Sequence, residues 1–197
     1  MVSVSVSVSV ETLMLRAGTD GRWAYRRAVT VPRPGESPDE AARRVSGVAP
    51  GAAGVVVHST SWRHLPEGVL VLTYAVCPDP APWLPAVELA RLEIARGSAP
   101  ATPTPERIEA AHVAAHAVRH LAFLVARDPV VREALLRHRG LVAALASADT
   151  SDQHGVIALD ALAALDAAGE RDLDPMRWAR PGPVRSGAGE LGVGARG

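Results

Sequence analysis

The chain has 197 residues, 48% apolar and 21% charged, with 21 basic residues balanced by 21 acidic ones. These proportions describe an ordinary single-domain globule, and the balance leaves no field of one sign to draw in nucleic acid or an anionic membrane. Every basic residue is arginine and asparagine is absent, which excludes lysine Schiff bases, lysine-bearing phosphate loops and sites where asparagine orients a histidine.

The same bias toward Ala, Arg, Gly, Pro and Val is that of a gene from a GC-rich genome. Cys77 is the sole cysteine, so no internal disulfide forms. Without a secretory leader or a run of about eighteen apolar residues, the expectation is a cytoplasmic protein with no membrane partner.

In chain order, residues 2–10 alternate valine and serine with the period of a strand. Because the repeat is of low complexity, residues 1–13 are read as an extension, with Met14 as an alternative start. Apolar alternation at 11–16 and 23–31 predicts two strands joined through Gly18-Thr19-Asp20-Gly21. Ser37-Pro38-Asp39-Glu40 has the cap, the first-position proline and the first-turn acids of a helix start, and that helix ends near Gly47.

Residues 54–64 and 69–77 predict two further strands, with Pro66-Glu67-Gly68 as a three-residue hairpin loop. Uninterrupted pairing from that loop sets Trp62 against Leu72, Thr60 against Tyr74 and His58 against Val76, gathering His58, Thr60, Trp62 and Tyr74 on one face. Four prolines in 78–85 end the sheet region, and 86–96 fits neither period cleanly.

From Pro105 to Ala126 an apolar stripe of Ile108, Ala111, Ala115, Val118, Ala122 and Val125 predicts a long helix. Asp128-Pro129 starts another, and 141–146 and 156–168 continue the helical region. Strands first and helices second predict an α+β fold. It would be a small antiparallel sheet of about four strands, with the 37–47 helix and the long helix on one face. The domain spans 14–170, sheet-rich over 14–78 and helix-rich over 105–170, and 171–197 is a flexible tail.

Two places carry candidate chemistry. Glu109, His112 and His116 read Glu-x-x-His-x-x-x-His, a spacing that puts one carboxylate and two imidazoles on one helix face as potential metal ligands. His120 extends the ladder but lies about 12 Å along the helix from His112, too far for one ion to take all three histidines. On a helical wheel these histidines fall on the polar side, opposite the Ile108 to Val125 stripe.

The second place is the hairpin. His58, Thr60, Trp62 and Tyr74 would set polar tips among aromatic rings, a composition that binding sites favour. His58-Ser59-Thr60-Ser61 resembles half of the signature of the two-histidine phosphoesterases, in which a histidine and a hydroxyl from each of two strands surround a phosphate. No other histidine here is followed two places later by serine or threonine.

Two function classes follow. The first is a non-enzymatic module that binds a small ligand or protein partner through the His58, Thr60, Trp62 and Tyr74 face. The second is a small hydrolase, either phosphoesterase-like at His58 and Thr60 or metal-dependent at Glu109, His112 and His116. No catalytic residue and no cofactor is assigned.

Overall fold

The computed structural model describes residues 7–150. Its strands are β1 (Ser7–Ala17), β2 (Trp23–Thr30), β3 (Val56–Leu65), β4 (Val69–Cys77) and β5 (Val87–Leu89). Its helices are α1 (Pro38–Ser46), α2 (Ala110–Arg127), α3 (Pro129–Leu135) and α4 (Arg139–Thr150).

The fold is α+β as expected, but the sheet has five strands rather than four, in the order β3-β4-β1-β2-β5. The fifth is the short β5, from the stretch with no clean period. The sheet is mixed: β1 and β4 run parallel at its centre, and all other neighbours are antiparallel. The expected helix at 156–168 and the expected tail at 171–197 lie outside the described residues. Among the described residues no helix is long and apolar enough to cross a membrane.

Local sequence chemistry accounts for most of the elements. In α1 the Ser37 hydroxyl accepts from the Glu40 amide while the Glu40 carboxylate accepts from the Ser37 amide, at 3.2 and 2.8 Å. Such a reciprocal cap contributes about 1 kcal/mol. Gly47 ends the helix at φ 76°, and the Val48 amide returns to the Arg43 carbonyl. In α3 the Asp128 carboxylate accepts from the Val130 and Val131 amides, with Pro129 at the first helical position. The start of α2 falls at Ala110 rather than Pro105, after Glu109 in extended conformation.

The strand β1 is the spine of the molecule. It pairs β2 on one side and β4 on the other, and all six residues from Val10 to Leu15 are buried. Residues Ser7 to Leu13, expected to precede the domain, therefore lie within its central strand. Continuous burial requires a layer on each face, and this overturns the expectation that both helices share one face. Leu13, Leu15, Ala75 and Cys77 pack into a core with Ala114, Ala117, Val118 and Leu121 of α2 and Leu145 of α4. On the opposite face Val10 packs with Ala41 and Ala42 of α1, and Met14 and Val76 pack with Val48.

The β3-β4 hairpin begins as expected. Gly68 takes φ 78°, its amide reaches the Leu65 carbonyl at 3.0 Å, and Trp62 pairs with Leu72. One residue later the ladder slips. Ser61 pairs with Thr73 and Ser59 with Tyr74, leaving Thr60 as the extra residue of a β-bulge. The expected pairs Thr60–Tyr74 and His58–Val76 do not form; His58 pairs with Ala75. Because side chains alternate with period two, one inserted residue sends everything before it to the other face.

Candidate functional site

The bulge divides the expected hairpin patch. Tyr74 lies on the α1 face, packed against the cluster of Val10, Ala41 and Ala42. Burial, then the Asp39 carboxylate, pushes its phenol above the usual range. Trp62, opposite Leu72 on the edge strand β3, is 69% exposed. His58 shares the side of Ala75, which belongs to the α2 core. His58, Thr60, Trp62 and Tyr74 thus do not form one surface.

What the bulge does bring together is a row of imidazoles. The His58 ring centroid lies 5.3 Å from that of His120, and His120 stacks on His116 at 6.3 Å. The His116 Nε2–H donates to the carbonyl of the bulged residue, Thr60, at 3.3 Å. The His58 Nδ1–H donates to the Ser59 carbonyl at 2.7 Å.

His120 Nε2 is buried and has no hydrogen-bond partner among the described residues. Burial first, then the neighbouring His58 and His116, lowers the pKa of His120 from its ordinary 6.5. His116 and His120 are therefore half-buried against the sheet rather than on an outward polar face. The buried surface of α2 includes Ala115, Val118 and Ala122 of the expected stripe and widens to Val113, Ala114, Ala117 and Leu121, whereas Ile108 and Ala111 are exposed. It is broader than one stripe because the helix meets the sheet on one side and α4 on another.

The potential ligands Glu109, His112 and His116 are not gathered for an ion. The Glu109 backbone amide donates to His112 Nδ1 at 3.2 Å, and His116 is turned toward Thr60. Among the described residues no group of three or more His, Cys, Asp or Glu is arranged to hold a metal.

His112 and His116 instead line a slot of about 190 Å³ between β3 and the start of α2. Its walls are apolar, from Trp62, Ile94, Ala95, Pro105, Ile108 and Val113, with Ser61 and Arg63 completing it. The slot shares Ile94, Ala95, Pro105 and His112 with a wider cavity of about 730 Å³. That larger space is more polar, bordered by Glu93, Arg96, Glu106, Arg107 and Arg119. Of the four hairpin residues expected to bind, Trp62 alone lines this cleft.

Two carboxylates outside the predicted sites anchor the sheet. Glu11, 1% exposed on β1, accepts from Arg27 Nε and Arg63 Nη1, each at 2.6 Å, and from the Thr73 hydroxyl at 3.0 Å. Burial pushes its carboxyl upward, and the hydrogen bonds to Arg63 and Arg27 outweigh that and hold it below the usual range. Asp79, 4% exposed, is gripped through both oxygens by Arg26 at 2.9 and 2.6 Å. Burial acts against its ionisation too, and the Arg26 bonds again leave it lowered. A glutamate inside the apolar alternation of residues 10–15 was the available signal, because a charge at a core position needs a partner. Cys77 is fully buried, and burial followed by the Asp79 charge pushes its thiol up to about 12, which removes it as a nucleophile.

Compared with known proteins, the chain matches no family model, no curated protein and no solved structure. Its fold class therefore rests on the sheet and its two helical layers, and the cleft is the feature from which a function has to be argued.

Proposed function

We propose that the protein is a non-enzymatic binding module whose ligand enters the cleft between β3, the 93–107 connector and α2. The observation that carries this reading is the apolar slot, open to solvent through Trp62 at 69% exposure and Ile108 at 43%. Open apolar walls with a few polar groups are the usual make-up of a binding site.

Catalysis requires groups that converge on a reacting atom. In this cleft His112 Nδ1 and His116 Nε2 are each spent on a backbone group. Among the described residues no hydrogen bond joins either histidine to a carboxylate. The hydrolase alternative has only the His58 to His120 contact in its favour, and neither of those residues lines the cleft.

The test is a fragment screen read by amide and methyl NMR shifts. Fragments that move Ile94, Ile108 and His112 together, and lose affinity in Ile108→Glu, support the reading. Shifts confined to other surfaces, or turnover of ester or phosphate substrates abolished by His58→Ala, would replace it with a different site or with the hydrolase.

A further inference from the structure

The slot has a one-sided electrostatic character. Its polar lining is Ser61, Arg63, His112 and His116, and among the described residues no carboxylate lines it. Arg63 is held by Glu11, yet Glu11 is shared with Arg27, so this cluster of two guanidinium groups and one carboxylate keeps a residual positive charge. Arg63 reaches Glu11 and Thr73 through Nη1, which leaves Nε and Nη2 as donors with no hydrogen bond among the described residues. His112 accepts the Glu109 amide at Nδ1, which leaves its Nε2–H as a second donor. The slot therefore offers two N–H donor groups beside an apolar wall of Ile94, Ile108 and Val113.

Donor-only polar groups around apolar walls complement an acceptor-only anion on an apolar body. The volume of about 190 Å³ lies below the roughly 300–1,000 Å³ of sites that enclose drug-sized ligands. We infer that the slot binds a small apolar carboxylic acid, of the arylacetate or branched aliphatic class, its carboxylate toward Arg63 and His112 and its body against Ile108. This rests on the cleft being the binding site and adds the chemical class of the ligand.

The experiment compares near-isosteric pairs in which an acceptor-only carboxylate is replaced by a neutral amide: phenylacetate against phenylacetamide, and indole-3-acetate against its amide. Binding is measured by NMR titration on the full chain. A charge-assisted hydrogen bond is worth about 1.5–3 kcal/mol, so the acids should bind about tenfold or more tightly than the amides. Adding salt should narrow the gap. His112→Phe should reduce affinity for the acid and leave the amide unchanged. Because Arg63→Ala also disturbs the buried Glu11, His112→Phe is the variant that decides.

Equal affinity of acid and amide at the slot would overturn the carboxylate assignment while leaving the binding module standing. Binding of neutral fragments there with no binding of either acid would do the same. If neither the acids nor any screened fragment shifts Ile94, Ile108 or His112, the binding reading fails together with this inference.

Discussion

Two polar clusters lie on the α2 side of the sheet, and they solve the same problem in opposite ways. At Glu11 a buried charge is kept, because two guanidinium groups and a hydroxyl meet it at 2.6 to 3.0 Å. At His120 the ring neighbours are other imidazoles, at 5.3 and 6.3 Å, and burial followed by those two rings lowers its pKa from the ordinary 6.5. The comparison teaches that burial alone does not decide ionisation: the sign of the nearest partner does.

The largest expected effect comes from breaking the first cluster. Arg63→Ala should destabilise the fold by about 3 kcal/mol, as removal of one partner from a buried ion pair does, read from urea unfolding at pH 7. A loss below about 0.5 kcal/mol, the range of ordinary surface substitutions, would mean that Arg27 alone satisfies Glu11.

Next comes the response to acid, where the two clusters separate by pH window. His120 has a folded pKa below its ordinary 6.5, so the stability linked to it is complete above that value and is lost as pH falls through the lowered folded value. Glu11 is lowered from 4.5, so its contribution has the same sign but persists to more acid pH, below 4.5. Melting curves of the wild type should show a first decline below about pH 6.5. His120→Phe should remove that decline and leave the steeper loss below pH 4.5 in place. At pH 7 the same variant should be neutral or stabilising by about 1 kcal/mol, because it deletes a buried nitrogen without a partner. An unchanged decline in His120→Phe would remove the histidine row as its cause.

The smallest effect tests the division of the hairpin patch. Trp62→Ala should change stability by less than about 0.5 kcal/mol, since an exposed side chain away from the core carries little of the folding energy. Its effect on fragment binding at the slot should be plain. A destabilisation above 2 kcal/mol on the scale of core truncations would place the indole in a packed environment instead.

Much of the fold was legible before any coordinates. The Ser37 to Gly47 helix, the Pro66-Glu67-Gly68 loop, the Asp128-Pro129 helix start and the boundaries of β4 follow from caps, turns and period, all of which act over a few residues. The bulge at Thr60 was not legible. A run of His58-Ser59-Thr60-Ser61 carries no glycine or proline to mark an inserted residue, and either register buries similar chemistry. The hairpin patch failed at that one step, and the slot gained Trp62 without His58, Thr60 or Tyr74.

Local backbone chemistry in the sequence set β2 to β4 and the starts of α1 and α3, whereas β5 and the start of α2 were not readable from period alone. Tertiary packing decided that β1 would be covered on both faces, that α2 would turn His116 and His120 inward, and that Glu11 would meet Arg27 from β2 and Arg63 from β3, beyond β4. The reason is physical. Those outcomes depend on which surfaces meet, and residues as far apart as Thr60 and His116 acquire a relation only when a helix is seated over the bulge.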